Sequence, residues 1–283
     1  MKHRRTSWPW VLLLSGSAAF GQTAPLDDNT ADQAAADDRA GPRFEAGLAA
    51  GGGRVADYPG SDRSRVRGLI APVFIYRGKV LRVDAGGIRG RFFSSPDWTL
   101  DVTATGAFNA KSNETRRGMP ALDYLFGIGP QLVYTGWQHS GSGPSLHLKS
   151  RAMFSTNFRH VDAHGFTLDP ELRWRMPLAG SSRAALTWFV QPTWASRGLQ
   201  SYFYEVGDAQ ATADRPAYHA RAGYLGTEVG ATLSGRMDHG LNWFVTGRAM
   251  SLSGAANESS PLFKSRLNTS IGAGVMWLFW SHS

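Results

Sequence analysis

The chain has no cysteine among its 283 residues. This absence excludes a disulfide-stapled fold and any metal site with cysteine ligands. Long apolar runs are also missing, because beyond the N-terminus no stretch approaches the roughly 18 apolar residues of a membrane-spanning helix. Mean hydropathy is −0.27. Soluble proteins and membrane-spanning β-barrels share such values, since barrel strands alternate apolar and polar residues.

Helical periodicity is scarce after residue 43, and alternation with a period of two takes its place. The stretch FTLDPELRWRM (166–176) shows it best. One parity is apolar: Phe166, Leu168, Leu172, Trp174 and Met176. The other carries four charges: Asp169, Glu171, Arg173 and Arg175. A strand with these two faces fits either a soluble sandwich, with the apolar face in its core, or a barrel that turns this face to lipid.

Similar alternation predicts twelve strands, at 43–53, 65–77, 79–85, 97–108, 124–137, 144–154, 166–176, 184–194, 200–206, 223–236, 242–253 and 267–280. Many reach the length of about 9–11 residues that a tilted strand needs to cross a bilayer. Sandwich strands are usually nearer five or six residues. Tight connections, such as 94–97, alternate with long ones, such as 109–123. We therefore predict an all-β fold, an antiparallel transmembrane β-barrel of about 12 strands, within a range of 10–14.

The positions of tryptophan support this prediction, whereas those of proline indicate local irregularities in the strands. Seven tryptophans are expected near strand ends, as in interfacial girdles: Trp98, Trp137, Trp174, Trp188, Trp194, Trp243 and Trp277. Four prolines fall inside predicted strands: Pro72, Pro130, Pro170 and Pro192. Because proline lacks the N–H donor of a sheet ladder, we expect bulges or kinks at these positions.

The N-terminus predicts export. Lys2, Arg4 and Arg5 precede a short apolar core and small residues, which is the layout of a signal peptide over residues 1–21. Residues 22–42 are rich in alanine and aspartate and predict a disordered periplasmic lead-in. The barrel then occupies 43–283. The net charge of +8 favours anionic envelope partners such as lipopolysaccharide phosphates, and we expect no nucleic-acid partner.

The C-terminal strand carries a pattern typical of outer-membrane barrels. Ile271, Ala273, Val275, Trp277 and Phe279 alternate with small or polar residues, and a short overhang follows. Terminal strands that end on an aromatic residue resemble the signal read by the barrel-assembly machinery. We therefore predict Ile271, Val275, Trp277 and Phe279 as an assembly signal and lipid as the solvent of the apolar faces.

Three stretches resemble the MipA/OmpV family of MltA-interacting outer-membrane proteins. GGGRVADYPGSDRSRVRGLIAPVFIYRG (51–78) is similar to the first hairpin of the family. TRRGMPALDYLFGIGPQL (115–132) resembles its Gly-Met…Leu-Asp…Gly-Pro segment, and 202–224 resembles its tyrosine-rich loop. The chain departs from the family at GDAQATADRPAY, where a glycine usually precedes the proline, and in its C-terminal overhang.

The resemblance implies a non-enzymatic barrel in the outer membrane of a Gram-negative bacterium. It implies a scaffold that ties a murein lytic transglycosylase to a penicillin-binding protein. Some members are linked instead to adhesion or to passage of solutes. The family has no established catalytic residues, so none is transferred to this chain, and no cofactor is expected.

Two sets of residues are candidate functional sites. The first is a turn that acts either as a structural hairpin or as a recognition loop for a periplasmic or surface partner: Asp57, Tyr58, Pro59, Gly60, Ser61 and Asp62. The second is a group of charges expected to line the lumen: Arg82, Asp84, Lys149, Arg151, Asp169, Glu171, Arg173, Arg175 and Arg248. These charges either pair across strands and plug the barrel or, through surplus arginine, favour passage of anions.

Histidine raises an enzymatic alternative. His147 with Ser145 or Ser155 would be the candidate pair of an outer-membrane acyl hydrolase, but no G-x-S-x-G motif or acidic orienting residue accompanies them. His160 and His164 would approach each other on a helix, whereas the pattern places them in a turn between strands. We therefore expect neither an enzyme nor a metal site.

Overall fold

The computed structural model describes residues 43–77, 81–84, 87–90, 93–95, 97–110, 112–139, 142–178 and 183–282. For 43–45, the described residues within 71–94, His239 and 281–282, it describes the backbone alone. The predicted signal peptide and lead-in lie outside these ranges. In the described part, no helix has the length and apolar character needed to span a membrane.

The described chain forms thirteen strands: β1 (Arg43–Ala56), β2 (Ser64–Arg77), β3 (Leu81–Asp84), β4 (Gly87–Gly90), β5 (Phe93–Ser94), β6 (Trp98–Ala107), β7 (Tyr124–Tyr134), β8 (Gly143–Thr156), β9 (Val161–Pro177), β10 (Ala184–Ala195), β11 (Gly223–Arg236), β12 (Leu241–Ser251) and β13 (Leu267–His282). The α-helix α1 covers Arg197–Tyr204. Three 3₁₀ turns cover Glu114–Arg116, Asp208–Gln210 and Asp238–Gly240. Ten of the strands have ten residues or more, namely β1, β2 and β6 to β13.

The strands make one antiparallel sheet that curls into a barrel. The hydrogen-bonded order runs from β4 through β3, β2 and β1 to β13, and then back through β12 to β5. β1 pairs with β13, so the two ends of the chain meet in the wall. The two ends of the order are β4 and β5, which are consecutive in sequence, and β4 also lies beside β6. The prediction of an antiparallel transmembrane β-barrel of about 12 strands is confirmed.

The three longest connections between the strands, 108–123, 196–222 and 252–266, all lie at one end of the barrel. One end, called the loop end here, carries the connections 57–63, 108–123, 157–160, 196–222 and 252–266. The opposite turn end carries both termini of the barrel and the strand ends on either side of 78–80, 95–97, 135–142, 178–183 and 237–240. This contrast of long loops with short turns is the asymmetry of bacterial outer-membrane barrels.

The outer face is apolar over the height of the barrel. Large outward side chains are exposed on every long strand whose side chains are described, for example Ile70, Leu172 and Ile271. Aromatic residues bound this band: six of the seven predicted tryptophans lie at the turn end, and Trp194 lies at the loop end. Phe166 and Trp174 are eight residues apart on β9. At a rise of about 3.3 Å per residue and a tilt of about 40°, they bracket a band of about 20 Å, somewhat less than the apolar band of about 25 Å on outer-membrane barrels.

One predicted strand, 200–206, is wrong. These residues belong instead to α1 and the turn that follows it. Tyr202, Tyr204 and Val206 alternate as in a strand, but the buried residues Leu199, Gln200, Phe203 and Tyr204 lie on one face of a helix. Burial of that face against the neighbouring loops favours the helix.

Proline interrupts the ladder between β9 and β10. Their register runs from Ala185 opposite Pro177 to Val190 opposite Leu172, and it resumes at Trp194 opposite Leu168. Pro170 and Pro192 lie within the interval, where neither can supply an N–H donor. A register shift in the β10–β11 ladder follows between Thr193 and Trp194. The expected irregularity is therefore present at these two prolines.

Candidate functional site

The barrel interior gathers the charges that alternation placed opposite the apolar face. On β8 and β9 the inward side chains are buried, whereas their outward neighbours Leu148 and Leu172 are exposed. Five of the predicted lumen residues are buried: Lys149, Arg151, Asp169, Glu171 and Arg173. Arg175 and Arg248 are also inward but half-buried. The side chains of Arg82 and Asp84 lie outside the described residues.

Glu171 is the centre of this arrangement. Its side chain has no exposed surface, and its two oxygens accept from different cations. Lys149 Nζ donates to Oε2 at 2.6 Å, and Arg173 Nε donates to Oε1 at 2.7 Å. Lys149 Nζ also donates to Gln191 Oε1 at 2.6 Å, which ties β8 and β9 to β10. Both carboxylate oxygens are thus engaged by cations in a site without water access.

A second pair extends the arrangement toward the loop end. Arg151 Nη1 donates to Asp169 Oδ2 at 3.1 Å, and Thr167 Oγ1 donates to the same oxygen at 2.7 Å. Lys149 stands directly opposite Asp169 in the sheet, yet its amine binds Glu171. The pairs are therefore diagonal, a geometry within reach of long side chains. Together Lys149, Arg151, Asp169, Glu171, Arg173 and Gln191 form what we call the lumenal network.

The network continues onto β11 and β12. Glu228 stands opposite Gln191, is 5% exposed, and has an Oε2 atom without a hydrogen-bond partner among the described residues. Arg248 lies 5.7 Å from the centre of the Phe189 ring, a cation–π contact inside the barrel. Gly230 makes this possible, because a Cβ there would lie 2.6 Å from the Phe189 ring.

A packed cap closes the loop end. The cap comprises the described residues of 57–63, 108–123, 196–222 and 252–266, and it has an apolar core of its own: Tyr58, Ala110, Leu122, Leu199, Phe203, Tyr204, Ala220, Leu252 and Ala255. Tyr58 Oη donates to the Leu262 carbonyl at 2.7 Å, and Tyr204 Oη donates to the Pro59 carbonyl at 2.8 Å. No periodic pattern predicted this cap, because loops from four separate regions of the chain build it.

The predicted recognition turn, 57–62, is part of this cap. Tyr58 and Ser61 are 3% and 2% exposed, and Asp62 alone among the six residues is exposed. Gly60 has φ +83°, and a Cβ there would lie 2.9 Å from the Phe263 ring, so both backbone and packing require glycine. The Asp57 carboxylate accepts from Arg65 Nε at 3.1 Å. This burial favours the structural alternative for the turn, and a recognition role stays a prediction for Asp62.

Burial of the cap tyrosines raises the pKa of each phenol. Loss of solvent raises the pKa of Tyr202 to about 12, and it also raises the pKa values of Tyr58 and Tyr204. The Coulombic attraction of Arg116 opposes the shift at Tyr58. In the unfolded chain these phenols titrate near pH 10. A raised folded pKa means that the stabilisation is complete below about pH 10 and is lost as pH rises further.

We therefore expect the cap to loosen above about pH 10. Limited proteolysis of the loop end, measured from pH 8 to 11.5, should accelerate above pH 10 while the barrel strands stay protected. The double variant Tyr58→Phe/Tyr204→Phe removes two of the phenols and should show a flatter profile. Parallel profiles for the two proteins would contradict this cause.

Two serine–histidine contacts lie inside the protein. Ser145 Oγ is 3.0 Å from His147 Nε2, and Ser155 Oγ is 2.8 Å from His164 Nε2. Ser145 and Ser155 are 0% and 3% exposed, so neither hydroxyl faces a substrate-accessible surface. The His164 ring also packs on Tyr202, with centroids 4.2 Å apart, a cap contact that the sequence pattern did not predict.

The other predicted positions are placed as follows. The residues of the proposed assembly signal, Ile271, Val275, Trp277 and Phe279, all point outward on β13 and are exposed. His160 contacts Asp162 at 3.1 Å rather than His164. Across the described ranges, no group of three or more histidine, aspartate or glutamate side chains is arranged to hold a metal ion.

Comparison with known proteins relates the chain to one protein family and to two solved structures. The family model described as "MltA-interacting protein MipA" matches residues 48–279. No curated protein sequence matches the chain. Among solved structures, the chain is similar to a FadL homologue of Pseudomonas aeruginosa, with 9% identity and a TM-score of 0.36 over 93% of this chain and 96% of that one. It is also similar to OpdQ of the same bacterium, with 9% identity and a TM-score of 0.24 over 85% and 96%.

Proposed function

Because the chain belongs to the MipA family, we propose that it is a non-enzymatic scaffold in the outer membrane of a Gram-negative bacterium. It would hold a murein lytic transglycosylase of the MltA type, together with a penicillin-binding protein, against the membrane. The family match over 48–279 carries the proposal. The buried lumenal network and the cap support it, because ion pairs occupy the interior beside β8, β9 and β10 and the cap packs on the loop end.

The turn end is the surface proposed for these enzymes. Short turns and both termini face the periplasm in bacterial outer-membrane barrels, and peptidoglycan enzymes work there. Three large apolar side chains are exposed on its connections: Trp137, Leu178 and Met237. Trp137 packs edge-on against Tyr134 at 4.8 Å, so its ring is held in place. Rigid exposed aromatic residues are typical anchors of protein interfaces.

A direct binding measurement tests the scaffold. The refolded protein in detergent should bind a purified MltA-type transglycosylase. The double variant Trp137→Ser/Met237→Ser should weaken this binding at least about tenfold, which is the effect expected when one anchor residue of an interface is lost. Phe158→Ser/Val161→Ser removes exposed apolar residues from the loop end and is the matched control. Absence of binding to either enzyme class, or equal losses in the two variants, would contradict the proposal.

A small channel for anionic or amphipathic solutes is the second candidate. The half-buried inward side chains of Arg175 and Arg248 favour it, because they retain surface facing the lumen. The refolded protein would then conduct in planar bilayers, and Arg175→Glu would reduce any preference for anions. A protein that stays silent across a wide voltage range would rule this function out.

The proposal includes no catalytic role. The purified protein should turn over neither phospholipid nor glycan, because the Ser145 and Ser155 hydroxyls are buried. We also propose that the barrel-assembly machinery reads the outward aromatic residues of β13. Measurable lipid hydrolysis that is lost in Ser155→Ala would overturn the non-enzymatic assignment.

A further inference from the structure

Exposed cations without an acidic partner gather at the loop end of the barrel, among the side chains that the structure describes. Among the described side chains, six exposed cations have no acidic partner: Arg54, Arg63, Arg159, Arg197, Arg221 and Lys264. All six belong to the loop end. Arg54 Nε donates to the Ser64 hydroxyl at 2.7 Å, and this is its one described side-chain contact. At the turn end, by contrast, Arg183 is paired with Asp238 at 2.5 Å.

These six residues lie where the apolar band ends. Each is within three residues of the loop-end terminus of a long strand, from β1 and β2 round to β13. Arg54 stands opposite Val66 and Ile271 in the sheet, and those two outward side chains are 81% and 63% exposed. Arg197 follows β10 directly after Ser196, whose hydroxyl accepts from the Phe166 N–H. Cations therefore border the lipid-facing surface at several points around the barrel.

Acidic residues do not neutralise this border. Asp162 contacts His160, and Glu258 contacts Arg266, which is not one of the six. Asp62 is the exposed carboxylate next to Arg63. Asp208 and Asp214 lie within 205–216, a part of the cap that Arg215 ties to the carbonyls of Thr115 and Arg117. The six cations of the border thus outnumber its four exposed carboxylates without a permanently charged partner, Asp62, Asp162, Asp208 and Asp214, and they lie next to an apolar wall.

We propose that the six residues, here called the cationic collar, bind the phosphate groups of phosphorylated glycolipids in the outer leaflet. Such a lipid presents acyl chains to an apolar wall and phosphates directly above them, which matches the order of surfaces on this barrel. Arginine suits the task because its planar guanidinium donates two parallel hydrogen bonds to phosphate oxygens. This inference concerns the loop end and is independent of the enzyme contacts proposed for the turn end.

Lipid binding by the full chain tests the collar. The refolded protein in nonionic detergent is titrated with bisphosphorylated lipid A and with its dephosphorylated form. We expect the phosphorylated lipid to bind at least tenfold more tightly. Arg197→Gln/Arg221→Gln should lower its affinity about thirtyfold, since each cation near an anionic lipid surface contributes about 1 kcal/mol. The matched variant Arg183→Gln/Arg236→Gln at the turn end should stay within twofold of the parent.

Three results would overturn the collar. These are equal affinity for the two lipids, equal losses in the two double variants, and displacement of the lipid by inorganic phosphate at the same phosphate concentration. Circular dichroism and the mobility of the unheated protein in gels establish that each variant is folded before titration. Transglycosylase binding by the Arg197→Gln/Arg221→Gln variant should be unchanged, so failure of the collar and failure of the scaffold are distinguishable.

Discussion

Replacing Glu171 by leucine is expected to lower the free energy of unfolding by about 3–5 kcal/mol, the usual cost of removing one partner from a buried ion pair. Glu171 is fully buried and accepts from Lys149 at 2.6 Å and from Arg173 at 2.7 Å. Without it, two cations remain in a site that excludes water. Their attraction to the carboxylate is lost, whereas the cost of their desolvation remains.

Urea unfolding of the barrel in lipid vesicles, followed by tryptophan fluorescence, measures this loss. The control is Lys149→Met/Glu171→Leu, which removes the ammonium together with its carboxylate. Because apolar residues of similar volume often replace buried ion pairs at little cost, the double variant should recover part of the stability. If the single variant unfolds at the parental urea concentration, the lumenal network does not contribute to barrel stability.

The second large effect is expected one residue further along β9. Leu172→Arg should destabilise the barrel by about 2 kcal/mol, because arginine on a barrel surface costs about 2–4 kcal/mol at the bilayer midplane and less toward the interface, and Leu172 lies between the two. Leu172 points outward, is 41% exposed and lies between the aromatic residues Phe166 and Trp174 on the same strand. A guanidinium there would sit in hydrocarbon, where no acceptor replaces its lost water.

Val161→Arg provides the matched control for this substitution. Val161 begins the same strand at the loop end and is 60% exposed. An arginine there reaches the interface, so we expect a cost of only about 0–1 kcal/mol. The same urea titration in vesicles compares the two variants. Equal costs at the two positions would show that the outer face of β9 does not contact a bilayer.

The two tests depend on the orientation of side chains on β9, which the sequence predicted, and on the pairing of the inward charges, which it did not. The alternation in 166–176 was enough to predict which side chains of β9 face inward, because successive side chains of a strand point to opposite faces of the sheet. The sequence did not reveal which charges would pair. Lys149 is the register partner of Asp169 but binds Glu171, because its long side chain reaches the diagonal neighbour on β9.

The structure of the cap was even less predictable from the sequence than the lumenal ion pairs. Tyr202, Tyr204 and Val206 alternate as a strand would, and this local pattern led to a wrong prediction at 200–206. The helix forms because its buried face meets loops from distant parts of the chain. Tyr204 reaches the carbonyl of Pro59, 145 residues away in sequence. Local periodicity carries no information about such partners.

Sequence alone was enough to predict the fold class, the outward and inward faces of the long strands, and the charged character of the lumen. It could do so because alternation is a local property of each strand. Three features became visible only in the folded barrel: most of the 57–62 turn is buried, a cap packs on the loop end, and exposed cations without an acidic partner collect around that rim. Those features depend on which residues meet after the barrel closes, and closure joins β1 to β13 from opposite ends of the chain.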